Sequence, residues 1–226
     1  MPGSQSRWVW LSVSVLFLTA CAGPTTVRLS DESRDELKSY PGIRAVHYVA
    51  PQLWITTTGK ILVQQATFYT YSVPEKDLAK RYDIPDPAVA VKMALVQSLE
   101  RDVGFRKLIV VDKPLSGGTL DDLAAAYGKG VVLTVENINW GGMYFVTNWT
   151  RYRLGLGIRA RLVRPDDKKV FWEGTCWYDA SRDAKLEPSM DELTANNSAL
   201  FKKIYADAGQ YCGRQLASEV LNRDGR

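Results

Sequence analysis

One histidine stands in 226 residues, and there are only three cysteines. No C-x-x-C and no Cys/His cluster occurs, so a conventional zinc site has no source of ligands, and no other metal or cofactor motif is present. A serine or cysteine nucleophile would have His47 alone as its base, and no G-x-S-x-G elbow is found. Neither sign of charge dominates. The 29 basic and 25 acidic residues are scattered, which argues against the basic stripe that nucleic acid requires. Long apolar runs are scarce too. Trp8 to Leu18, broken only by Ser12 and Ser14, spans 11 residues, well short of the ~20 that cross a bilayer as a helix. Against these absences, 46% hydrophobic and 24% charged residues are the proportions of an ordinary globular chain.

What is present begins with that apolar run. A short start whose only charged side chain is Arg7, an apolar stretch and then small residues form a secretory signal. Leu18-Thr19-Ala20-Cys21 closes it, and these four residues resemble the lipobox of bacterial lipoproteins. The resemblance covers residues 1–21. It implies that residues 1–20 are removed as a signal peptide and that Cys21 is acylated, with palmitate among its lipids, and begins the mature chain. Ala22 rather than aspartate follows, which by the same resemblance implies the outer membrane, facing the periplasm. Losing Arg7 with the signal lowers the net charge only from +4 to +3. The remainder is long enough for one domain with a real core.

Residues 21–41 read as a polar tether with a short helix around Asp31–Tyr40, and 42–226 as the globular part. Ile43 to Val49 is a strand stopped by Pro51, and Leu53 to Val73 has strand composition with a turn at Gly59-Lys60. Asp86-Pro87 opens a helix as cap and first residue. Val89, Met93, Val96, Leu99 and Val103 form its apolar stripe, and Gly104 its stop. Leu108 to Val111 is a strand covered on both faces. Thr119 and Asp122 start a helix reaching about Tyr127, and Val131 to Ile138 is the next strand. This succession predicts an α+β fold: a single domain with a mixed, partly antiparallel sheet and three main helices, the long C-terminal one packed on the sheet.

Leu154, Leu156, Ile158, Ala160 and Leu162 alternate with arginines and glycines from Arg153 to Arg161, so one face is buried and the other wet. Pro165-Asp166-Asp167 turns the chain and Val170 to Tyr178 returns. Pairing Leu162 with Val170 sets Ala160 opposite Trp172 and Leu156 opposite Cys176 on the core face. Arg159 then faces Glu173, and Trp177 lies across Gly155, on the wet face.

Ser189 and Glu192 cap the last helix, whose apolar stripe is Leu200, Ile204, Ala208, Cys212, Leu216 and Val220. Gly209, Gly213 and Ala217 beside it permit a close neighbour. With Cys21 assigned to the lipid and the chain exported, Cys176 and Cys212 remain as an even pair in a compartment where disulfides persist. Both fall on faces that must meet, so a Cys176–Cys212 disulfide is expected.

Other candidates have plain readings. Ser116-Gly117-Gly118-Thr119 lacks the phosphate-loop pattern and is a tight turn. His47 is a half-buried strand residue, and Asp83, Asp86, Asp121 and Asp122 are turn and cap residues. The stretch 140–152 is different, holding Trp140, Tyr144, Phe145, Trp149 and Tyr152 in 13 residues. Either it is an aromatic loop that contacts a partner or ligand, or the strands run through it and Trp140 and Trp149 fold onto the core.

The order of elements over residues 43–222 is similar to small periplasmic α/β lipoproteins, such as the amino-terminal domain of the Tol-Pal translocation protein and the globular part of the curli secretion lipoprotein. The resemblance implies a non-enzymatic accessory factor of envelope assembly or transport. It would be held to the membrane by its N-terminal lipid and would dock onto a protein partner or its own copies. A binding module for an apolar or lipid ligand is the alternative.

Overall fold

Along the chain the elements are α1 (Asp31–Lys38), β1 (Ile43–His47), β2 (Trp54–Thr56), α2 (Leu78–Arg81), α3 (Pro87–Ser98), β3 (Leu108–Val110), α4 (Leu120–Tyr127), β4 (Val131–Phe145), β5 (Asn148–Arg164), β6 (Lys169–Asp179), α5 (Ala180–Asp183) and α6 (Met190–Val220). The computed structural model describes residues 26–56 and 78–221, apart from 104, 106 and 118. The signal segment, Cys21, the Gly59-Lys60 turn, the Gly104 stop and the part of Leu53–Val73 beyond Thr56 lie outside the described residues. The fold is α+β, as expected.

The sheet order is β3-β1-β4-β5-β6. β4, β5 and β6 form an antiparallel meander, and β1 lies parallel between β3 and β4. One edge of β4 is served twice. β1 pairs with Val131 to Val135, and β2 pairs in parallel with Gly141 to Met143.

One face of the sheet is covered by α3 and α6. Asp86 caps α3, its carboxylate accepting from the Ala88 amide at 2.9 Å. Of the expected stripe of α3, Val96 and Leu99 are buried, but Val89 and Met93 are exposed, and Ala88, Val91, Lys92 and Leu95 are buried in their place. The helix is apolar on nearly all sides, so periodicity alone does not select the face that packs. A π-helical turn, Leu99–Val103, prolongs it.

α6 starts at the expected capping box, Ser189 and Glu192 bonding reciprocally, and is interrupted where Asn196, Asn197 and Ser198 take left-handed backbone angles. Cys212 faces β6 and is joined to Cys176 in a disulfide with Cα atoms 5.4 Å apart. Gly209 and Gly213 do not serve that approach. A Cβ on Gly213 would stand 2.7 Å from the Ala94 Cβ, and one on Gly209 3.2 Å from that of Ala90. Both therefore let α6 lie close to α3, because they stand to one side of the stripe that carries Cys212.

The meander corrects the hairpin register. Leu162 pairs with Trp172, Ile158 with Cys176 and Leu156 with Tyr178, two residues from the expected pairing. Inward and outward faces are unchanged, since two residues is one full side-chain period. The cause is an irregularity between Leu162 and Val163, where the partner steps from Trp172 to Val170. Phe171 is the extra residue, and it and Trp172 are both buried. Arg159 accordingly bonds Glu136 on β4, through both Nε and Nη2, and Glu173 stands across from Arg161. Trp177 lies opposite Gly157 rather than Gly155.

Of the expected tether, residues from Val27 lie against the body. Val27 and Glu173 exchange two backbone hydrogen bonds along the outer edge of β6, at 3.2 and 2.9 Å, which blunts an otherwise open edge. In α1, Leu37 is buried and Glu36 bonds Arg164 and Lys169 at 2.5 and 2.6 Å. Among the described residues, the second face of the sheet is covered at one end, where Val46, Tyr48, Leu123, Val132 and Val163 form a small separate core.

Candidate functional site

At the opposite end of that second face no described element packs on the sheet, and the aromatic stretch 140–152 lies there. It is not a loop: β4 and β5 run through it and turn at Val146-Thr147. Its side chains divide. Trp140 is buried, donates from Nε1 to the Pro51 carbonyl at 2.7 Å and meets Tyr205 edge-on at 5.4 Å. Tyr205 donates to the Gly141 carbonyl, and burial holds its phenol far above the usual range. Tyr152 is buried too, with its amide bonded to the Pro188 carbonyl.

Arg151 adds bonds to the Glu187 carbonyl at 3.1 Å and to Glu192 at 2.6 Å, and the hairpin tip lies beyond them. Val146 is 86% and Trp149 61% exposed, Tyr144 and Phe145 are half-buried, and the Tyr144 and Trp149 rings lie 6.3 Å apart. Trp149 is pinned by its indole N–H, which donates to the Val146 carbonyl at 2.8 Å. Trp149 therefore does not fold back onto the core as Trp140 does.

Beside the hairpin lies an open slot of about 260 Å³ on the sheet surface. Sequence reasoning missed it, because its walls come from three distant segments. Trp54 on β2 lies over Gly141, where a Cβ would fall 2.5 Å from the two atoms at the centre of the indole. Its Nε1 donates to Asn139 Oδ1 at 2.8 Å. On β6, the six-membered ring of Trp177 covers Gly157 in the same manner. Gly155 lies between them, with Met143 and Arg153 at one end. Asp179 caps α5, accepting from Ser181 at 3.0 Å, and pairs with Arg153. Burial opposes ionisation of Asp179, but hydrogen bonds from Ser181 and Arg153 outweigh it and hold the carboxyl below its usual range. The only available sequence signal was Gly155 and Gly157 on the wet face of an alternating strand.

The remaining candidates are structural. His47 is buried with its Nδ1 3.2 Å from Lys92 Nζ, and Lys92 donates to the Val111 carbonyl at 2.7 Å. Burial pushes both pKa values down, and the pair is sealed from solvent. At 116–119 the capping box forms fully, and the Asp122 carboxylate lies over Gly117. The Thr119 amide and hydroxyl thus already donate to an anion of the chain itself. Among the described residues no cluster of His, Cys, Asp and Glu is placed to hold a metal, and no helix is long and apolar enough to cross a membrane.

Together the fold and this surface define an α+β domain with an open, aromatic-lined sheet end. No family model matches the chain, and no curated protein does. Among solved structures it is similar to a dodecameric PelC variant from Paraburkholderia phytofirmans (TM-score 0.29, 9% identity, covering 84% of this chain and 95% of that one). It is also similar to a Xanthomonas campestris protein of the DUF330 family (0.38, 12%, 82% and 87%) and to lipoprotein GNA1162 from Neisseria meningitidis (0.25, 12%, 74% and 96%). With every TM-score below 0.5, these likenesses transfer neither fold nor function.

Proposed function

We propose that this protein is a lipid-anchored envelope protein, held at the periplasmic face of the outer membrane through Cys21, that works by docking onto a protein partner or a second copy. The lipobox supports the anchor. The observation that carries the docking reading is the hairpin tip, where Val146 and Trp149 stand exposed above a fully packed root. A photo-crosslinking residue at Val146, in the native envelope, is expected to give a discrete protein adduct that Trp149→Ser abolishes. Absence of any adduct, or one indifferent to Trp149→Ser, overturns it. Cys21→Ala is expected to leave an uncleaved precursor or to release the protein from membranes; normal processing and retention in outer membranes overturns the anchor.

The slot favours the second reading, a ligand-binding module. The guanidinium and carboxylate at its rim favour a ligand that carries polar groups over the apolar or lipid molecule expected from sequence.

A further inference from the structure

We propose that the slot above Gly155 binds one ring of a neutral saccharide; this rests on reading the slot as a ligand site. Its floor is the first argument. Gly141 and Gly157 have to be glycine, since an indole ring occupies the place of any Cβ. Gly155 is under no such demand. A Cβ there would meet only the Tyr178 carbonyl, at 3.5 Å, and its φ lies outside the left-handed region. The fold tolerates a side chain at 155, and the chain leaves the space empty between two aromatic walls.

The walls suit a sugar. Trp54 and Trp177 are anchored against backbone and remain 40% and 51% exposed. A broad aromatic face with its negative π-cloud complements the face of a pyranose, whose C–H hydrogens carry partial positive charge. The rim supplies hydroxyl partners. Arg153 has a side chain 55% exposed, and Asn139, with Oδ1 occupied by Trp54, has its amide N–H groups to offer.

Charge selects neutrality. Arg153 is paired with Asp179 and Arg182 with Asp183, so the rim has no surplus of either sign to attract an ionic ligand. The volume, about 260 Å³, is below the roughly 300–1,000 Å³ of pockets for drug-sized ligands. One ring fits, and the openness of the slot lets a longer chain continue beyond it.

The test titrates the full-length protein in detergent with cellotetraose, maltotetraose and chitotetraose, reading tryptophan fluorescence and calorimetry. Tetramannuronate is the anionic control and caffeine the flat, sugar-free one. At least one neutral tetrasaccharide is expected to saturate with a dissociation constant at or below about 1 mM. Gly155→Leu is expected to weaken it roughly tenfold at unchanged Tm, and Trp177→Ala likewise. Should Gly155→Leu lower Tm, Trp177→Ala decides. Binding of tetramannuronate alone, or neutral binding indifferent to the deciding variant, overturns the proposal. Caffeine binding that the deciding variant abolishes, with no sugar binding, overturns the sugar and leaves a ligand site. No binding by any probe overturns both.

Discussion

His47 enters the core uncharged because burial and the neighbouring Lys92 ammonium both disfavour its protonation, while Asp112 pulls weakly the other way. In the unfolded chain the same imidazole takes up a proton as pH falls through its ordinary value of 6.5. The unfolded state then binds more protons, so stability present above pH 6.5 is lost below it. Lys92, lowered chiefly by burial and raised by Asp112 and Asp86, acts with the same sign at alkaline pH. Tm is therefore expected to fall from pH 6.5 toward 5.5, with His47 contributing at most about 1.4 kcal/mol per pH unit. His47→Gln is expected to flatten that slope in a pH series of thermal melts; an unchanged slope refutes it. The sequence placed His47 in a strand with apolar neighbours. It gave no hint of Lys92, because a lysine at a helical position reads as solvent-facing until the packing face is known.

Elements with local signatures were legible in the sequence. Asp86-Pro87, Thr119 with Asp122 and Ser189 with Glu192 each mark a helix start by chemistry that needs nothing from the rest of the fold. The hairpin faces were legible for the same reason, since alternation is local. Its register was not, because the irregularity at Phe171 puts two successive side chains, Phe171 and Trp172, into one core cluster, which alternation does not announce. The Cys176–Cys212 link follows from two such faces meeting, and it closes a loop with a sequence separation of 36. Replacing both cysteines by alanine is expected to cost about 3–4 kcal/mol in urea unfolding. A loss under about 1 kcal/mol would show that strand and helix are already fixed without it.

At the scale of the molecule, little of the binding surface was readable. The stretch 140–152 drew attention by composition, yet its aromatic residues divide between core and tip. The slot needs β2, β4, β5 and β6 side by side in that order, a juxtaposition that no window of sequence contains. The two surfaces are separable by construction. The tip adduct expected at Val146 should persist in Gly155→Leu, since residue 155 lies in the sheet away from the turn, and its loss there would mean one continuous site.

The seat of β1 has a kinetic consequence. Residues 131–179 form a meander of neighbours in sequence, whereas β1 must enter between β3 and β4, both made much later. Contacts so distant along the chain form late, after loop closure has been met. Val46→Ala is thus expected to speed unfolding and barely change the folding rate, while Ile158→Val slows folding, in stopped-flow chevrons. During synthesis the N-terminal end emerges first, so Ile43–His47, buried along most of its length in the finished fold, waits unpaired until residue 135 has followed. That interval is when this chain is most open to aggregation or to a chaperone.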